Sequence, residues 1–84
     1  MSAAPLSEAE ALAMLSEAFG EPVADLRSDT ERDSLAGWDS MGALMVMAEL
    51  DEKYGVELTA DESSAMTNVG DLLAFMRARG VIKI

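Results

Sequence analysis

Three stretches of this chain repeat apolar residues at helical spacing, and each carries its own start and stop signals. In "SEAEALAMLSEAFG", Ser7 and Glu10 form a capping box, and Leu12, Leu15 and Phe19 recur along one helical face. Gly20 and then Pro22 end the run, so the spacing predicts a first helix over residues 7–19. A second helix is predicted from Ser40 to Tyr54, stopped by Gly55. Thr59 and Glu62 make another capping box, which opens a short helix to about Ala65. Thr67 or Asn68 caps a last helix over residues 69–79. Arg77 and Arg79 suit the dipole in its final turn, and Gly80 closes it. The closing "VIKI", residues 81–84, reads as a tail that adds a few apolar contacts. No strand pattern competes. The expected fold is all-α: a small four-helix bundle with a long first loop and a short third helix.

The first loop, residues 21–39, is rich in Asp, Ser, Thr and Arg, but Val23, Leu26, Leu35 and Trp38 interrupt it. A connection this long in a small domain is expected to be anchored or functional. Those four residues are the candidate anchors. No repeat, low-complexity tract or linker divides the chain, and its 84 residues read as one domain, 1–84. Half the residues are hydrophobic, enough for a packed interior. The longest uncharged apolar stretch, residues 41–48, is too short to span a bilayer, and "MSAAPLSEAEALAM" lacks the basic start of a signal peptide. A monomer with a cytoplasmic address is therefore the expectation.

Sixteen acids against six bases give a formal charge of −10. Such a domain repels nucleic acid and anionic membranes and attracts partners with basic patches. With no histidine and no cysteine there is no imidazole base, thiol nucleophile or soft metal site. Asp25, Asp29 and Asp33 recur in the first loop, but their spacing lacks the alternate ligands and central glycine of a calcium-binding loop.

The second helix is apolar on two sides. With Ser40 at the origin and about 100° per residue, Ala43, Val46, Met47, Leu50 and Tyr54 form one coherent stripe, the core face. Gly42, Glu49 and Lys53 fall on a wet edge. The remaining sector holds Ser40, Met41, Leu44, Met45, Ala48, Asp51 and Glu52, apolar near the serine and acidic beyond it. One stripe suffices for a surface helix, so the second is a candidate docking surface, for which methionine is well suited. The alternative is that the long loop folds over it.

Ser40 can be read three ways. As a helix cap it would stabilise by about 1 kcal/mol. As the nucleophile of a hydrolase elbow it fails, because Trp38 stands where that motif needs glycine and no histidine exists to form a triad. As an attachment point it has an apolar surface beside it that a modifying enzyme can hold. A phosphodiester there would also meet the free amides of a helix start.

At this point "WDSMGALMVMAELDEKYGVEL", residues 38–58, closely resembles the phosphopantetheine-attachment region of acyl carrier proteins, centred on Asp39-Ser40-Met41 where the family has Asp-Ser-Leu. The long first loop, "VELTADESSAMTNVGDLL" and the last helix follow in the family's order. The resemblance implies a free-standing, non-catalytic carrier. A phosphopantetheinyl transferase, using coenzyme A and magnesium, would place a 4'-phosphopantetheine arm on Ser40, and its thiol would hold acyl groups as thioesters. Asp39 matches the aspartate that the transferase is expected to read. Met41, Leu44, Asp51 and Glu52 match positions where the family's partners dock, and the attached chain is expected to enter the core between the second and third helices.

Two departures bear on the pathway. Met41 replaces the usual leucine, as it also does in D-alanyl carrier proteins. Met45 stands where fatty-acid carriers usually have an acid, so docking through Met41, Leu44, Met45 and Ala48 should lean on apolar contact, with Asp51 and Glu52 as the acidic rim. This favours a dedicated carrier for a polyketide, nonribosomal-peptide, amino-acyl or specialised-lipid pathway. Its partners would be an acyl-loading enzyme and a ketosynthase, acyltransferase or condensation-type enzyme. The "GWDS" lead-in differs from the Gly-Gly-His-Ser of peptidyl carriers, which ranks acyl above peptidyl. Trp38 either anchors the loop on the core or joins the partner surface. The rival from another class is an acidic helical adaptor, with Ser40 only a cap.

Overall fold

The computed structural model describes residues 4–83. Four helices follow in order: α1 (Glu8–Phe19), α2 (Ser40–Tyr54), α3 (Ala60–Ala65) and α4 (Val69–Ala78). Two single 3-10 turns, Val23–Asp25 and Arg32–Ser34, punctuate the first loop. The expected all-α architecture, with its long first loop and short third helix, is what the chain forms.

Local chemistry explains the ends. The capping boxes Ser7/Glu10 and Thr59/Glu62 are both closed reciprocally. Gly20 (φ 65°) and Gly55 (φ 64°) end α1 and α2 in the left-handed region. Asn68 caps α4 through the Asp71 amide, while Thr67 donates from its own amide and hydroxyl to the Asp71 carboxylate. The capping acids Glu10, Glu62 and Asp71 are all held below their ordinary pKa, chiefly by the backbone hydrogen bonds they accept from Ser7, Thr59 and Thr67.

The core joins Ala11, Leu15 and Phe19 of α1, Ala43, Val46 and Leu50 of α2, Leu58 and Met66 around α3, and Val69, Leu72, Leu73 and Met76 of α4. Each fully buried Leu or Met stabilises by about 1.5–3 kcal/mol. Leu26, Leu35 and Trp38 anchor the first loop there, but Val23, the fourth expected anchor, is 50% exposed. The loop is pinned instead by α4: the Val69 amide donates to the Thr30 carbonyl, Gly70 to Ser28, and Arg32 to Thr67. The loop thus satisfies first-turn amides of α4 that have no partner within their own helix.

The C-terminal stretch is more than a tail with a few contacts. Val81 and Ile82 are buried, and the chain beside them pairs with the lead-in to α1. The Leu6 amide donates to the Val81 carbonyl, and the Lys83 amide donates to the Leu6 carbonyl. Leu6 and Ile82 form an isolated parallel bridge, and no longer strand occurs among the described residues. Ile84, the last residue of "VIKI", lies outside the described residues.

Candidate functional site

α2 begins where the first loop turns in against the end of α1. A Cβ on Gly37 would collide with the Phe19 carbonyl, and one on Gly42 with the Gly37 carbonyl and, at 3.1 Å, the Phe19 ring. Gly42 is therefore buried contact surface, not the wet edge its place on the helix wheel predicts. The wheel places residues relative to the helix axis alone and cannot register a backbone crossing it. Elsewhere on that edge, Glu49 and Lys53 form an ion pair at 2.9 Å, and the bond to Glu49 raises the Lys53 pKa.

The cap of α2 is Asp39, whose carboxylate accepts from the Gly42 amide at 2.9 Å. Ser40 is the first helical residue, exposed, and its hydroxyl makes no hydrogen bond among the described residues. The cap reading of Ser40 is thus corrected: the aspartate does that work, and the serine is left over.

Trp38 is 4% exposed, stacked on Phe19 with centroids 5.1 Å apart and planes at 17°, with the Arg32 guanidinium 5.0 Å from its ring centroid. Its possible place on the partner surface is corrected accordingly. An indole sandwiched between a ring and a guanidinium is a loop anchor.

The second stripe of α2 stays open, because the loop that could cover it packs on α1 and α4 instead. Met41 (68%), Leu44 (55%) and Met45 (47%) are, with Val23, the large apolar residues left exposed among those described. Ala48, Asp51 and Glu52 are exposed beside them. The stripe forks as it leaves Ser40. Leu44 turns to the α3 side, where it lines a hollow of about 530 Å³ with Met47, Ala48, Asp51, Glu57 and Leu58. Met45 turns to the α1 side, lining a groove with Met14, Glu17, Ala18 and Glu49.

Beside Ser40 lies a further cleft of about 230 Å³. Ala43, Leu44 and Met47 of α2 form its apolar wall, and Ala60, Ser63 and Ser64 of α3 face them. Arg32, from the loop, completes it. Arg32 carried no signal in the sequence, because the Ser63 and Met66 carbonyls that hold its guanidinium lie some thirty positions away.

Nothing in the cleft is built for bond-breaking: no carboxylate or other base lines it, and the perturbed acids are the helix caps named above. Among the described residues no cluster of potential metal ligands forms, and no helix is long and apolar enough to cross a membrane. The site thus offers an idle, exposed serine beside an open apolar face. Residues 9–76 match the family model described as "Phosphopantetheine attachment site", most of the 84-residue chain, and the chain belongs to that family. Its members carry 4'-phosphopantetheine on a serine, receive it from phosphopantetheinyl transferases and do no catalysis themselves. No curated protein matches the chain significantly.

Proposed function

We propose that this chain is an acyl carrier protein whose 4'-phosphopantetheine arm is attached to Ser40. The observation that carries the reading is the division of labour at the start of α2, where Asp39 caps the helix and Ser40 is left exposed with a free hydroxyl. Other serines are engaged or enclosed: Ser7 caps α1, the Ser16 and Ser34 hydroxyls donate to carbonyls, and Ser63 is buried. Ser28 lies in the loop beneath α4, away from the apolar stripe, and Ser64 sits across the cleft without a helix start beneath it.

The residues fit the group. The Ser40 hydroxyl is open to an incoming enzyme, and the first-turn amides of a 15-residue helix favour an anion on it. When bound, the arm supplies a thiol on which acyl groups ride as thioesters. The protein's own part is to present and to be recognised. Asp39 fixes the helix start and offers an exposed carboxylate to the transferase. Met41, Leu44, Met45 and Ala48 give partners an apolar seat, and Asp51 and Glu52 give them an acidic edge.

Met45 in place of an acid supports service in a dedicated polyketide, nonribosomal-peptide, amino-acyl or specialised-lipid pathway. The partners would be a loading enzyme and a ketosynthase, acyltransferase or condensation-type enzyme, with the protein a cytoplasmic monomer. The test is intact mass after incubation with coenzyme A, magnesium and a promiscuous phosphopantetheinyl transferase, beside a Ser40→Ala control. One added phosphopantetheine on the parent alone is the expected result. No gain with several transferases would overturn the reading in favour of an acidic adaptor that docks through the same α2 surface.

A further inference from the structure

Arg32 is a cation without a counter-ion. In a chain of sixteen acids and six bases, Lys53, Arg77 and Arg79 each find a carboxylate, whereas half-buried Arg32 has none within 4.0 Å among the described residues. Partly desolvating a charge without pairing it is costly. Its Nη1 donates to the Ser63 carbonyl at 2.8 Å and to the Met66 carbonyl at 3.4 Å, and its plane lies over Trp38. These contacts fix the side chain but use only Nη1. The Nε and Nη2 groups have no partner among the described residues, leaving the side-on fork that matches two oxygens of a phosphate.

Three further observations place an anion opposite that fork. Arg32 is the only charged residue among those lining the cleft that Ser40 also lines. Ser63, 6% exposed, donates its hydroxyl to nothing among the described residues, yet no fully buried side-chain N or O there lacks a partner. Its hydroxyl is therefore not sealed in the core, and Ser63 is among the residues that line the cleft. The Ser40 and Met41 amides, at the positive end of α2, are likewise unpaired.

We propose that this end of the cleft is the seat of the phosphodiester that joins the arm to Ser40, with the Arg32 fork and the Ser63 hydroxyl as its side-chain donors. The inference rests on Ser40 being the attachment serine. Arg32 is then a positioning residue. By neutralising the phosphodiester it turns the arm along the apolar wall of Ala43, Leu44 and Met47 rather than straight out into water.

The test uses the full chain, uniformly ¹⁵N-labelled, before and after conversion by a transferase, with intact mass read first. Failure of the parent to gain mass would overturn the Ser40 assignment and this inference with it. With mass gained, the Arg32 Nε–H resonance, identified by its loss in Arg32→Gln, is expected to shift on conversion. The thermal midpoint of the parent should rise by about 10 °C on conversion, the size of one charge-assisted hydrogen bond in a domain of this length, and that of Arg32→Gln should not. A purely structural Arg32 lowers the unconverted and converted midpoints equally. An unmoved Nε–H resonance in a fully converted parent would overturn the seat, and should Arg32→Gln not fold, Arg32→Lys identifies the resonance in its place.

Discussion

Gly42→Ala offers a sharp test because two physical effects oppose each other there. In an exposed helical position the change would stabilise by about 1 kcal/mol, since alanine is the better helix former. Here the added Cβ would collide with the Gly37 carbonyl and come within 3.1 Å of Phe19 Cδ1. The near neighbour is backbone, which cannot swing aside as a flexible side-chain end can. To make room, α2 must draw away from the loop, stretching the Asp39 cap on the Gly42 amide and loosening the Phe19–Trp38 stack. Overpacking of this kind costs typically about 1–3 kcal/mol, and losing the cap adds about 1 kcal/mol. The net loss after the propensity gain is about 1–3 kcal/mol, which lowers the thermal midpoint of a domain this size by roughly 5–15 °C. Circular dichroism gives the midpoint, and fluorescence of the single tryptophan, Trp38, reports the stack directly. A midpoint equal to or above the parent's, with unchanged Trp38 emission, would refute the steric account of how the start of α2 is held.

Other consequences are open to measurement. Asp39→Ala should cost about 1 kcal/mol in urea unfolding while Ser40→Ala costs almost nothing, because the cap is the aspartate; the reverse order would return the capping role to Ser40. Glu62→Gln should destabilise at neutral pH. The Glu62 carboxyl titrates below its ordinary 4.5 when folded, so its contribution is complete above that value and fades as pH falls through the lowered folded value. The gap between parent and variant in urea midpoint should accordingly close below pH 4.5, and a gap that persists at pH 2 would contradict the assignment. Met45→Glu should give salt-sensitive binding to a generic fatty-acid partner and weaken binding to the native one, measured by titration at two ionic strengths; unchanged affinities would remove Met45 from the docking surface.

Whatever depended on residues three or four apart was legible before the fold was known. Capping boxes, glycine stops and the two apolar stripes of α2 are relations within one or two helical turns, and backbone geometry repeats them wherever a helix forms. For that reason the four helices, the core face of α2 and the place of Ser40 at a helix start were all present in the order of amino acids. What escaped depended on elements meeting across the chain. Gly42 lies in the polar sector of the wheel yet is buried because the loop crosses it, and Val23 is apolar yet exposed, while Leu26 three residues on reaches the core in its place. Val81 and Ile82 looked peripheral and are core because residue 6 pairs with them from the other end of the chain. Trp38 is hidden by Phe19 and Arg32, and Arg32 became visible only when α3 brought its carbonyls to the guanidinium. Sequence alone determined the helices and the serine, since local hydrogen bonds and periodicity suffice for those. Tertiary structure alone decided which surfaces stay open around that serine and which cation stands unpaired beside it, since burial and electrostatic pairing belong to segments distant in sequence.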